Sequence, residues 1–156
     1  MHCVECGLPY TPQKGVLQIS TVSSCPHCLK SLPPLPADGW PVAPGPALKG
    51  ERGVFLTRDV TEGELLELCW VMPLNAEESV YAMASKGVLS RYTFPWVHEL
   101  RALCSGLGLL YNHHNRPNTR CVLRPAVQAV EFRALRDMTK GTELRWHYQQ
   151  AALNRK

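Results

Sequence analysis

The sequence predicts a mainly β protein with a few short helices, preceded by a small zinc ribbon. Three observations carry this reading. Two Cys-x-x-Cys knuckles, Cys3 to Cys6 and Cys25 to Cys28, stand near the start with 18 residues between them. Beyond a proline-rich stretch, short β-prone runs alternate with turns containing Gly, Asp and Asn. One of those turns is used twice: Arg58-Asp59-Val60-Thr61-Glu62-Gly63-Glu64-Leu65 recurs as Arg136-Asp137-Met138-Thr139-Lys140-Gly141-Thr142-Glu143-Leu144. A single recurrence does not make a solenoid; it implies two similar corners in a β-rich domain.

The chain's 156 residues suit one domain with a small appendage. Apolar residues, 45% of the total, are enough for a core. No run approaches the length of a membrane span, and Met1-His2-Cys3-Val4-Glu5-Cys6 has neither the basic nor the apolar region of a secretory signal. The expected compartment is intracellular and reducing: the cytoplasm, or the nucleus in a eukaryote. The formal charge of +4 falls to about +2 when four thiolates hold one zinc. That is too mild to argue for nucleic acid, which stays open as a partner without support from charge; no membrane partner is expected, and the oligomeric state is open.

Residues 1–30 read as the ribbon. Two knuckles at this spacing bring Cys3, Cys6, Cys25 and Cys28 into a tetrahedron around one Zn2+. Val16, Leu17 and Ile19 between them suit a short hairpin. Such a module is too small for its own apolar core, so metal binding supplies its folding energy. Disulfides are the alternative, and a reducing compartment disfavours them. Residues 31–46 read as a linker: Pro33, Pro34, Pro36, Pro41, Pro44 and Pro46 exclude a helix or a central strand. Trp40 is expected to anchor it to the main domain.

From residue 47 the pattern becomes strand-like. Gly50 to Gly53 is a turn, Val54 to Thr57 a β-prone run, and Leu65 to Met72 an apolar strand. Residues 75–86 form the best helix, with Asn75 as N-cap, Glu78 completing a capping box and Gly87 as the stop. In Ser90-Arg91-Tyr92-Thr93-Phe94-Pro95-Trp96, the rings of Tyr92, Phe94 and Trp96 are expected to alternate onto one face of an extended strand, either as core or as a cation-binding wall. Val122 to Phe132 reads as two strands and Glu143 to Tyr148 as a last one. Cys69, Cys104 and Cys121 are expected to be buried.

The most unusual stretch is Gly106-Leu107-Gly108-Leu109-Leu110-Tyr111-Asn112-His113-His114-Asn115-Arg116-Pro117-Asn118. Its glycines permit close backbone approach or positive φ. Four consecutive hydrogen-bonding side chains then either cap a turn for one another or face a ligand.

These stretches, in this order, resemble a SET domain, the fold of one class of protein-lysine methyltransferases. The resemblance covers about residues 46–149. Arg52-Gly53-Val54-Phe55 with Arg58-Asp59 is similar to the family's Gly-x-Gly segment and first strand, and Arg91-Tyr92-Thr93-Phe94 to its central tyrosine strand. Leu109-Leu110-Tyr111-Asn112-His113 with Pro117-Asn118 is similar to its Asn-His segment, and Phe132 to Tyr148 to its closing Gly-Glu-Glu-Leu and tyrosine segment.

The resemblance implies a pseudoknotted, β-clip-like domain over residues 47–150, a tail over 151–156, and S-adenosylmethionine as cofactor. Glu51, Arg52, Gly53, Arg91, Tyr92, Asn112 and His113 would hold the cofactor. Tyr148 would be catalytic, and Phe94, Tyr111 and Trp146 would wall a channel for the lysine of a protein substrate. Departures from the family pattern are Glu51, His114, Asn115 and Thr142, together with Trp146 where Phe or Tyr is usual. So large a ring implies mono- or dimethylation over trimethylation. Two other readings compete. One is a non-catalytic SET-like module that binds peptide or nucleic acid. The other is a metallohydrolase using His113 and His114, which lacks any His-Glu-x-x-His pattern.

Overall fold

The computed structural model describes residues 1–11 and 24–153, so the hairpin expected around Val16, Leu17 and Ile19 lies outside the described residues. The remainder is mainly β, in two sheets with short helices between them. Strand β1 (Val42–Pro46) pairs antiparallel with β2 (Arg52–Leu56) across a tight turn. The long β3 (Leu65–Pro73) leads into helix α2, and α1 (Pro26–Lys30) precedes both, running out of the second cysteine knuckle. Strand β1 carries prolines at 44 and 46, and it lies on the sheet's edge, where a missing N–H costs no ladder bond.

Helix α2 (Ala76–Ala84) starts where its cap requires. The Glu78 N–H donates to Asn75 Oδ1 at 2.9 Å and the Asn75 N–H to Glu78 Oε2 at 2.9 Å, a complete capping box. The helix stops at Ala84, before the Gly87 expected to end it. The sequence reading fails next: Arg91 and Tyr92 do not lie on an extended strand. Val88–Tyr92 is a short helix, α3. Side chains close it, with the Ser90 hydroxyl donating to the Gly87 carbonyl at 2.8 Å and the Thr93 hydroxyl to the Leu89 carbonyl at 2.6 Å. The chain is extended from Thr93 to Trp96, and Phe94–Pro95 (β4) pairs with β5 (Arg101–Cys104). Phe94 and Trp96 therefore stay together and only Tyr92 leaves the set. Trp96 enters the core, meeting Phe94 edge-on at 6.0 Å, while Tyr92 stays at the surface.

The remaining strands are β6 (Asn112–His113), β7 (Thr119–Arg124), β8 (Ala129–Ala134), β9 (Glu143–Trp146) and β10 (Ala152–Leu153). One sheet runs β1-β2-β9-β6, the other β10-β7-β8-β3-β5-β4. Strand β9 enters between β2 and β6, antiparallel to the first and parallel to the second, and the chain then crosses to place β10 beside β7. Residues 112–118 close over β9: the His114 N–H donates to the Trp146 carbonyl and the Asn118 N–H to the Arg145 carbonyl, both at 3.1 Å. The Asn118 side chain copies a strand, donating to the Glu143 carbonyl at 2.8 Å and accepting from the Arg145 N–H at 2.8 Å. This interlocking of 112–118 with the last strand is the pseudoknot. The core beneath it contains Val54, Leu66, Tyr111, Phe132 and Leu144. Among the described residues no helix is long and apolar enough to cross a membrane.

Candidate active site and cysteine centre

Two places in the fold gather chemistry. The first is a cavity of about 190 Å³ between α3, β4 and the end of β9. Six of the residues singled out from sequence line it: Arg91, Tyr92, Phe94, Tyr111, Trp146 and Tyr148. Small-molecule pockets run to roughly 300–1,000 Å³, so this one has the size of a single side chain. Among the described residues its wall holds no carboxylate and no imidazole; Arg101 contributes the other charge.

Tyr148 sits just past β9, its ring 5.2 Å from that of Trp146 and 5.2 Å from that of His113. Its hydroxyl donates to the Tyr111 carbonyl at 2.8 Å, and its backbone N–H donates to His113 Nδ1 at 3.2 Å. With Nδ1 accepting, the ring proton of His113 is on Nε2, which donates to Asn115 Oδ1 at 3.1 Å. Burial raises the Tyr148 pKa, and Glu51 and Tyr92 nearby push it further the same way. The phenol is therefore a neutral hydrogen-bond donor throughout the physiological range. Tyr111 itself is fully buried, stacked on Phe132 at 3.9 Å, with its hydroxyl turned away from the cavity toward Glu67.

Glu51, Arg52, Gly53, Asn112 and His113 do not line the cavity; Arg52 and Gly53 open β2, Glu51 just precedes it, and Asn112 and His113 form β6. The Asn112 amide donates from Nδ2 to the Arg52 carbonyl at 3.1 Å and to Glu143 Oε1 at 2.9 Å. A Cβ at position 53 would stand 2.8 Å from Glu143 Oε1 and 3.2 Å from Asn112 Nδ2, so a side chain there would displace the Glu143–Asn112 contact. The capping reading of the polar run is realised. His113 with Asn115 and His114 with Arg116 cap the turn locally, whereas among the described residues no donor reaches Asn112 Oδ1. Glu143, paired with Arg145 and bonded to Asn112, is held below the ordinary carboxylate range despite its burial. The two histidines do not join a metal-ligand cluster; among the described residues that cluster consists of cysteines.

The second place is that cysteine cluster. The Sγ atoms of Cys3, Cys6, Cys25 and Cys28 all lie within 4.8 Å of one another, with Cys3 to Cys28 at 3.6 Å and Cys6 to Cys25 at 3.8 Å. A tetrahedron with Zn–S of about 2.3 Å requires S···S near 3.8 Å, so the four thiols can hold one zinc. The cluster docks on the main domain. Glu5, between the first two cysteines, accepts from Arg124 Nε at 2.7 Å and from the Ala126 N–H at 2.8 Å; the Cys25 N–H donates to the Ala126 carbonyl at 2.6 Å. Arg124 also pairs with Glu131, which accepts from Arg133 Nε at 2.8 Å. None of the cysteine module's described residues lines the cavity; their contacts buttress the β7–β8 end of the sheet.

From sequence alone, Asn118 stands within the Asn-His segment without a role of its own, and Glu143, the Glu5–Arg124–Glu131 chain and Glu67 are not singled out. Only Glu67 left a local signal, an acid in the middle of an apolar strand.

The comparisons with known proteins agree with this geometry. The SET domain model matches residues 51–149, and the chain belongs to the SET domain family. It is 28% identical over 94 residues to a Schizosaccharomyces pombe protein named histone-lysine N-methyltransferase, H3 lysine-37 specific. That match covers 60% of this chain, which spans 63% of the relative's length. A solved Plasmodium falciparum structure described as a candidate histone methyltransferase superposes with a TM-score of 0.56 at 22% identity, covering 72% of this chain and 96% of that one; it supports the fold.

Proposed function

We propose that this protein is an S-adenosylmethionine-dependent methyltransferase acting on lysine side chains of a protein substrate, with a structural zinc in its cysteine module. The observation that carries the reading is the neutral Tyr148 hydroxyl, fixed to the Tyr111 carbonyl beside an aromatic cavity the size of one side chain. The fission yeast relative is named for a histone lysine, which makes a lysine-bearing protein the substrate class to test first.

S-adenosylmethionine supplies an electrophilic methyl carbon on a positively charged sulfur. The donor set suits it: among the described residues Asn112 Oδ1 is an unused acceptor for an ammonium group, and the backbone of Arg52 and Gly53 lies against the same amide, with Glu51 just before them. Arg91 and Tyr92 stand at the end of α3 between that face and the cavity. The lysine must arrive neutral. Phe94 and Trp146 give the cavity apolar walls, which disfavour an ammonium and lower its pKa. Among the described residues no carboxylate or imidazole lines the wall, so the proton leaves to water before the amine is enclosed. Tyr148 then orients the amine, and acceleration comes from alignment and fixed dipoles. Trp146 fills the wall beside Tyr148 and restricts the product to mono- or dimethyl-lysine.

Incubation with methyl-labelled cofactor and a whole-cell protein extract, followed by acid hydrolysis, tests the reading. Labelled methyl-lysine is expected from the wild type. Tyr148→Phe is expected to lower that yield at least a hundredfold while binding the cofactor within about threefold of wild type. Wild-type turnover in the variant would remove Tyr148 from the chemistry.

A further inference from the structure

We infer that Glu67 is a positioning residue for methyl transfer, holding the 107–111 turn, and through the Tyr111 carbonyl the Tyr148 hydroxyl, in its working place. The inference rests on the reading of Tyr148 given above.

Strand β3 slips its register against β8 between Leu65 and Glu67: Leu65 pairs with Arg133, but Glu67 pairs with Phe132. Such a bulge re-aims side chains. Here Leu66 and Glu67, neighbours in sequence, are both buried, at 0% and 4% exposure. The carboxylate has been turned into the core. No arginine, lysine or histidine pairs with it among the described residues. It accepts instead two hydrogen bonds from one short segment: Oε1 from the Leu107 N–H at 2.9 Å and Oε2 from the Tyr111 hydroxyl at 3.0 Å.

Those donors are the two ends of a single turn, so the carboxylate staples it. Gly106 opens that turn at φ +64°, and a Cβ there would stand 2.7 Å from Glu67 Oε1. The turn's last carbonyl, that of Tyr111, receives the Tyr148 hydroxyl at 2.8 Å. A buried carboxylate without a cation is costly, and stability alone is served as well or better by an apolar side chain. What the acid supplies is orientation, because two fixed acceptors set the angle of a carbonyl whose carbon is three bonds from the Tyr111 ring. The cofactor face is held separately, by Asn112 on Arg52 and Glu143. Loss of Glu67 therefore acts on the methyl-transfer step and spares cofactor binding.

Zinc-loaded full-length protein tests this with Glu67→Met, Tyr111→Phe and Glu67→Gln, each corrected for active fraction by calorimetric cofactor stoichiometry. Glu67→Met is expected to lower kcat at least about tenfold with cofactor Kd unchanged within twofold. Tyr111→Phe keeps the ring stack on Phe132, and is expected to lower kcat in the same sense. Glu67→Gln, which still accepts from Leu107 and can donate to the phenol, recovers most of the loss. The ζ-carbon NMR signal of Tyr148, assigned by its disappearance in Tyr148→Phe, is expected to move in the first two variants. Wild-type kcat and an unmoved Tyr148 signal in Tyr111→Phe overturn the inference even if Glu67→Met fails to fold. An inactive wild type overturns the methyltransferase reading instead.

Discussion

Asp59 and Asp137 hold each other's turns. Asp59 Oδ1 accepts from the Lys140 N–H at 2.8 Å and Asp137 Oδ1 accepts from the Glu62 N–H at 2.8 Å, so each carboxylate caps the amide three residues after its counterpart. Between them Val60 and Met138 form a reciprocal backbone bridge, with N–H to carbonyl distances of 2.9 and 3.0 Å. The turn written twice in the sequence is thus two corners packed on one another about a local twofold. Asp59→Ala and Asp137→Ala are each expected to lower the unfolding free energy by about 1 kcal/mol, by equal amounts. Urea denaturation checks this; a loss confined to one of the pair contradicts the equivalence.

A zinc held by the four cysteines is expected to hold down the β7–β8 end of the six-stranded sheet as well as its own module. Chelation frees Glu5 and Cys25, which bond the Ala126 N–H and carbonyl. The Ala126 amide should then exchange with solvent at least tenfold faster, while amides in β2 change little. In the metal-free cluster, burial and the Cys3 and Cys6 thiols push the Cys28 pKa up. Burial opposes ionisation at Cys3 as well, but backbone N–H groups of Cys6 and Glu5 bring it down to about 7. Zinc must displace the Cys28 proton, so affinity rises with pH through the neutral range and calorimetry should read proton release on binding.

Gly108 is required by two thiols. A Cβ there would collide with Cys104 Sγ and stand 3.2 Å from Cys69 Sγ. Gly108→Ala is expected to cost about 1–3 kcal/mol from overpacking. Adding Cys104→Ala should return a large part of it, since the collision is with that side chain. Thermal unfolding of the single and double variants decides; strictly additive losses contradict the steric account.

Trp146 is expected to limit the degree of methylation. Its ring lies between Phe132, at 6.0 Å, and Tyr148, at 5.2 Å, in the cavity wall. Trp146→Phe removes one ring's width there, and mass spectrometry of the product should show a shift toward higher methylation at comparable total turnover. Efficient trimethylation by the wild type would contradict the assignment.

What could be read from the sequence was chemistry that is local by necessity. A tetrahedral thiolate site needs paired cysteines a few residues apart, a capping box spans four residues, and a repeated turn repeats its letters. The Tyr92 to Trp96 stretch misled because alternation of rings looks the same whether or not a five-residue helix precedes it. What closes α3 is the hydroxyls of Ser90 and Thr93, not any helical period. The proline-rich stretch hid a strand for a related reason: Pro44 and Pro46 are two apart, so both can face away from β2 at an edge. Glu5 and Arg124 are 119 residues apart, and no pattern in the letters marks such a pair. Glu67 could have been flagged as an acid inside an apolar strand, but its two partners are set by a bulge that the sequence does not announce.

Cofactor binding is expected at the face where Asn112 meets Arg52 and Gly53, beside Tyr148. Isothermal titration of folded, zinc-loaded protein with S-adenosylmethionine tests it most directly. One molecule bound per chain, with affinity weakened at least tenfold by Asn112→Ala, is the predicted result. No heat of binding to a protein that unfolds cooperatively and retains its zinc would contradict it.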